Sequence, residues 1–156
     1  MATLFTYGLS EIQFGGTKVG MTYKDTAKMT QDDPEVTEHY EEGKANPAIS
    51  SDTKKVPKLE FAIMNPDAQF LQTHLGGTYV SATKTWSFDG TEVVADGVWK
   101  VLPKKGFKSI TINKGKATAK IDFDISDKGI LLVRFVITPL TPDDPLKKPI
   151  EISETV

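Results

Sequence analysis

The most constraining feature of this chain is a strict alternation in its second half. Ala117, Ala119, Ile121, Phe123 and Ile125 alternate with Thr118, Lys120, Asp122 and Asp124. Successive side chains of a strand point to opposite faces, so this run has one buried and one wetted face, which a 3.6-residue helical period cannot supply. The same period recurs elsewhere. Ile12 and Phe14 alternate with Glu11 and Gln13. Gly15-Gly16 then turns the chain into Val19, Met21 and Tyr23, a pattern that predicts a hairpin. Leu59, Phe61 and Ile63 form another strand, and Trp86 and Phe88 share a face before Asp89-Gly90. Val94, Val98 and Trp99 make a further run, interrupted at Asp96-Gly97. Ile110 and Ile112 lead into Asn113-Lys114-Gly115, read as a hairpin loop.

Ile130 to Ile137 is different, being apolar on both faces except at Arg134. Leu131, Val133, Phe135 and Ile137 fall on one side, Ile130, Leu132 and Val136 on the other. A strand of this kind is covered on both sides. One short helix covers only part of the second face, so a neighbouring copy is the expected cover, with Leu132 and Val136 as contact residues.

One helix is predicted, over about Asn65–Leu75. Asn65-Pro66 gives a cap and a first-turn proline, Ala68, Leu71 and Leu75 lie on one stripe, and Gly76-Gly77 supplies the left-handed stop. Ala27 and Met29 continue the first hairpin. Glu35 to Glu42 reads as extended, with Val36 and Tyr40 its apolar residues. Residues 43–57 are polar and carry Pro47 and Pro57, which predicts a protruding loop. Residues 139–156 carry Pro139, Pro142, Pro145 and Pro149 and predict an extended C-terminal tail that is ordered only where it docks. With residues 1–8 as an N-terminal arm, the 156 residues make a single mainly β domain, a sandwich or barrel with one flanking helix.

Catalytic and metal-binding patterns are missing. Cysteine is absent, so no thiolate nucleophile or ligand exists, and only His39 and His74 offer an imidazole. No paired-histidine or His-x-Glu spacing suits zinc. Asp122, Asp124 and Asp127 do not make a calcium loop, because Asp127 stands where glycine is required and Val133 where the closing glutamate belongs. Gly115-Lys116 fails as a phosphate loop, with Ile110 in place of the first glycine. The expectation is no enzyme activity and no cofactor. Arg134 is the only arginine among 19 basic residues and the net charge is -2, which disfavours specific phosphate or base recognition. Neither a signal peptide nor a run long enough to span a membrane is visible, and cytoplasmic synthesis is expected.

Charge is segregated. Asp32, Asp33, Glu35, Glu38, Glu41 and Glu42 crowd one segment. Lys100, Lys104, Lys105, Lys108, Lys114, Lys116 and Lys120 crowd another. Charge runs are commonly solvated faces of a monomer. Beside a long polar loop and a proline-rich tail, they instead suggest complementary patches, with Asp33, Glu35, Glu38, Glu41 and Glu42 of one copy meeting Lys104, Lys105 and Lys108 of the next.

Taken in order, these features resemble the major tail-tube proteins of long-tailed phages, relatives of the ring-forming tube of type VI secretion. The carrying features are an arm ending at Tyr7-Gly8, the Gly15-Gly16 hairpin and the acidic segment ending Glu41-Glu42-Gly43. They continue with the loop to Pro57, the strand Leu59–Met64 running through Asn65-Pro66 into a helix stopped at Gly76-Gly77, and a strand-only second half. The resemblance implies hexameric rings stacked into a tube within a virion. It also implies contacts between rings made by loop, arm and tail, other tail proteins as further partners, and a lumen that passes DNA as non-specific cargo. The rival expectations are a monomeric β-sandwich ligand-binding module, for example for carbohydrate, and another phage neck or tail-end component of the same fold. A carbohydrate module would display tryptophan or tyrosine in an exposed row, whereas a tube subunit would bury its tryptophans.

Overall fold

The computed structural model describes residues 5–91, 93 and 96–154. In chain order the strands are β1 (Tyr7–Phe14), β2 (Thr17–Lys18), β3 (Met21–Thr22), β4 (Lys28–Thr30), β5 (Glu35–His39), β6 (Ile49–Thr53) and β7 (Lys58–Met64). Helix α1 (Ala68–Leu75) follows. Then come β8 (Thr78–Val80), β9 (Thr85–Ser87), β10 (Asp96–Lys105), β11 (Ser109–Phe123), β12 (Leu131–Pro139) and β13 (Ile150–Ser153). Nine strands form one antiparallel sheet in the order β2-β1-β10-β11-β12-β7-β3, with β13 added to β11 and β4 to β7. The pairs β5-β6 and β8-β9 stand apart as two-stranded ribbons. The fold is mainly β with one helix among the described residues, as the alternation leads one to expect.

The large sheet is rolled around its core. Strands β10 and β7 are separated by β11 and β12, which in a flat sheet would hold them roughly 14 Å apart. Yet the rings of Trp99 on β10 and Phe61 on β7 lie 5.9 Å apart. Trp99, Phe61 and Phe135 thus meet across the interior with Ile12, Leu59, Ile63, Ile112, Val133 and Ile137. At one end the chain itself bridges the two edges of the roll. β2 pairs with β1 through Lys18↔Gln13, and only Val19-Gly20 separates it from β3, which pairs with β7. No ring of hydrogen bonds closes, so the roll is not a closed barrel.

Two glycines make the roll possible. Gly97 and Gly115 face each other across β10 and β11. A Cβ on Gly97 would lie 2.4 Å from the Phe14 ring, and one on Gly115 would lie 2.7 Å from both Trp99 and Ile137. Between Gly97 and Trp99 the register shifts, because Asn113-Lys114 form a bulge. Asn113-Lys114-Gly115 is therefore not the turn that the sequence suggested. β11 runs through it for 15 residues, held by β10 on one side and by β13 and β12 on the other. A bulge bends and twists a strand while leaving its pairing intact on either side.

The C-terminal segment holds this bulge. Asn113 donates from its backbone to the Pro149 carbonyl at 3.1 Å and from Nδ2 to the Lys148 carbonyl at 2.7 Å. Leu140 N–H donates to the Lys114 carbonyl at 2.7 Å, and β13 then pairs with Ser109–Ile112. The proline-rich tail is thus docked on the body.

Helix α1 starts one turn later than Asn65. Asp67 is its N-cap and accepts from Phe70 N–H at 2.7 Å, while Asn65 adopts φ 55°, a left-handed conformation that asparagine tolerates. Gly76, with φ 79°, ends the helix and donates to the Gln72 carbonyl. Phe70 and His74 pack on Phe135 at ring distances of 6.0 and 5.2 Å, and Leu71 and Leu75 lie half-buried against the core. The β8-β9 ribbon abuts the helix end, where Trp86 Nε1 donates to the Gly76 carbonyl at 2.7 Å.

Candidate functional site

The described residues bring no nucleophile and base together as a recognisable catalytic constellation. Among the described residues no group of three or more His, Asp or Glu side chains is placed to hold a metal ion. His39 is exposed on β5. His74 is a packing residue between Phe70 and Phe135, and burial pushes its pKa below the usual histidine value. Trp99 is 1% exposed and Trp86 half-buried, so no exposed tryptophan row exists among the described residues, while Tyr7, Tyr23 and Tyr40 are exposed. Phe88 does pack edge-on against Trp86, with ring centroids 6.4 Å apart, but it is largely in solvent and not in the core, because β9 ends at Ser87 and the ribbon lies outside the roll.

The surface features that remain are three. The first is an arm. Segment 43–57 is not a plain loop, because Ile49–Thr53 pairs with the acidic Glu35–His39 strand in a five-residue register. Every residue of both strands is exposed. Asp33, Glu35, Glu38, Glu41 and Glu42 all lie on this arm or at its ends, and Glu35 is paired with Lys55 at 3.3 Å. The Tyr40 hydroxyl donates to the Glu38 carboxylate, which raises the tyrosine pKa. The arm carries apolar residues with nothing over them: Val36, Tyr40, Ile49 and Val56 are all about half or more exposed. A two-stranded ribbon without a packed face is marginally stable alone. This one is tied at its base, where Gln31 Nε2 donates to the Lys55 carbonyl at 2.6 Å.

The second is an open seam in the roll. At the end opposite the Gly15-Gly16 turn, β1 and β4 face each other without pairing. A cleft of about 500 Å³ lies between them, with Leu9, Met29, Leu59 and Val101 among its apolar walls and Tyr7, Tyr23 and Lys24 also lining it. Lys104 and Lys105 stand beside it. Tyr7 is paired in register with Lys105, and the Lys104 side chain lies against Gly8. Lys104, Lys105 and Lys108 are exposed, and no carboxylate of the described residues pairs with them.

The third is the far end of the β11-β12 hairpin. The alternating face of β11 is covered only as far as Ala119. Ile121 and Phe123 are 45% and 47% exposed, and Ile125 is 84% exposed. β10 pairs with β11 no further than Asp96↔Lys116, so no described strand flanks Ala117–Phe123 on that edge. Asp122, Asp124 and Asp127 surround this apolar tip.

The uncovered apolar surface therefore lies elsewhere than on β12, where it was expected. Leu132 is only 6% exposed within the single chain and has no surface to offer a neighbour. Val136 is half-buried in a polar setting, opposite Glu60 and Thr118 and near Lys120 and Arg134. The outer face of β12 is screened by the Lys28–Glu60 pair at 3.5 Å and by the Arg134–Asp122 pair, not left bare. The seam had no sequence signal, since nothing in residues 7–30 marks β1 and β4 as strands that face each other without pairing. The β11 tip was visible as apolar residues but not as uncovered ones. Residues 1–4 of the predicted N-terminal arm lie outside the described residues, as does Val94 of the run expected before Trp99. Phe5 is 72% exposed, and the strand starts at Tyr7.

No protein-family model matches the chain, and no curated protein matches it either.

Proposed function

We propose that this protein is a self-assembling structural subunit, a tail-tube protein of a phage, whose copies associate into stacked rings that conduct DNA. The observation that carries this reading is the arm. A ribbon with every strand residue in solvent and four uncovered apolar side chains buries nothing within its own subunit. Such a segment gains its ordering free energy from a partner. The apolar β11 tip is a second uncovered surface of the kind monomers rarely carry. A copy of the same chain is the simplest partner for both, and a head-to-tail contact closes into a ring where the rotation permits. Six copies per ring follow from the resemblance to tail-tube proteins. The reading gives the subunit no catalytic role and no cofactor, and its site of action is the virion.

Electron microscopy of the concentrated, purified protein tests it. Rings or tubes are expected. A particle that stays monomeric at millimolar concentration refutes the reading. It would favour a monomeric ligand-binding module, for which the 500 Å³ seam would be the binding cleft.

A further inference from the structure

We infer that the seam between β1 and β4 is the acceptor for the β5-β6 arm of a neighbouring copy; this rests on the self-assembly reading and specifies its contact. Both partners are incomplete within one subunit. The Tyr7–Ser10 stretch of β1 pairs with β10 on one side only, because β2 reaches no further than Gln13 and Phe14. β4 pairs with β7 on one side only. The seam therefore presents two strand edges without partners among the described residues, over an apolar floor. An added strand satisfies such edges by main-chain hydrogen bonds and seats alternate side chains in the groove. The arm supplies a strand with two free outer edges. Val36, Glu38 and Tyr40 share one face of it, with Asp52 opposite Val36, so docking brings Val36 and Tyr40 to the floor formed by Leu9, Met29 and Val101 and the carboxylates to the lysines at its rim.

Charge selects this acceptor over the other uncovered surface. The arm region from Asp32 to Asp52 carries seven carboxylates against one lysine. Lys24, Lys104 and Lys105 border the seam, and Asp25 is the only carboxylate among its lining residues. The β11 tip has Asp122 paired with Arg134 and sets Asp124 and Asp127 against Lys128 alone, so it offers an acidic arm no excess of positive charge. The arm does not dock on its own seam in this structure: it follows β4 through residues 31–34 and has all ten strand residues exposed.

The absence of native cysteine makes disulfide trapping a clean test. The double variant Val36→Cys/Lys24→Cys joins arm to seam, and Val36→Cys/Ile125→Cys joins arm to tip; all three positions are exposed. After mild oxidation of the assembled protein, the arm–seam pair is expected to give a ladder of dimers and higher multimers on a non-reducing gel. The arm–tip pair is expected to give none beyond its single variants. Three results overturn the seam assignment: multimers from the arm–tip pair instead, a fast-migrating monomer from an intramolecular bond, or intact wild-type rings whose arm–seam variant does not cross-link. The last separates the two ideas, since assembly then stands without this contact. A wild type that never assembles removes both.

Discussion

Removing the arm should cost the subunit almost nothing and the assembly almost everything. The perturbation replaces residues 32–56 with Asn-Gly, joining Gln31 to Pro57 where Thr30 and Lys58 already face each other in register. The terms lost are small. Neither strand contributes a buried side chain, the Lys55–Glu35 pair is exposed on both partners, and the Gln31–Lys55 hydrogen bond is worth about 1 kcal/mol. The β5-β6 pairing itself contributes close to nothing, because an exposed two-stranded ribbon is only marginally stable. Against this, the connection between Thr30 and Lys58 shortens by between two and three doublings, which favours the fold by at most about 1.7 kcal/mol. The net lies between a loss of about 1 kcal/mol and a gain of about 1.5. For a chain of this size that is a Tm change within about 5 °C in either direction. Urea unfolding followed by tryptophan fluorescence at a concentration where the protein is monomeric measures it, with Trp99 as the buried reporter. Sedimentation velocity at high concentration should show that rings no longer form. A loss of 3 kcal/mol or more in the monomer would mean that the arm packs on its own body, and the argument from uncovered surface would fail.

Phe135→Ala should destabilise by about 3–5 kcal/mol, because its 1%-exposed ring stacks on Phe61 at 5.0 Å and seats the helix; a loss below about 1 kcal/mol in urea unfolding would place the core elsewhere. Leu71→Ala should cost about 2 kcal/mol, the low end for a leucine, since this helix residue is only half-buried. His74 has its pKa lowered by burial, so the unfolded chain takes up its proton first as pH falls. Its contribution is complete above the unfolded value of about 6.5 and declines as pH drops toward the folded value. His74→Phe should therefore flatten the loss of stability between pH 7.5 and 5.5 relative to wild type, and an unchanged difference across that range would show that His74 does not titrate with folding. Association should weaken as salt rises from 0.1 to 1 M, where the Debye length falls from about 10 to about 3 Å, and Lys104→Glu with Lys105→Glu should weaken it further at low salt; indifference to both would return these lysines to ordinary solvated surface.

Period-two alternation placed β1, β7 and both ends of β11 on the chain because a strand's own geometry writes its faces into adjacent residues, and an unbroken apolar run placed β12. The helix was equally legible, since its cap and its glycine stop are local, and it moved only from an Asn65 cap to Asp67. Local signals failed where one residue type serves two ends. Gly97 and Gly115 read as turn punctuation, yet each is there because the Phe14 and Trp99 rings leave no room for a Cβ. The prolines after Pro139 read as a tail without a core pattern, yet hydrogen bonds from Asn113 and Leu140 bind that segment to the β11 bulge. Alternation said that Leu132 and Val136 face away from Phe135, which is so. It did not say that Leu132 is buried on that side, or that Ile121, Phe123 and Ile125 run past the last residue that covers them. Which face a side chain takes is a property of the strand and is set by its neighbours in sequence. Whether anything lies over that face depends on where distant strands stop, and only the rolled sheet, with its seam and its projecting arm, decides it.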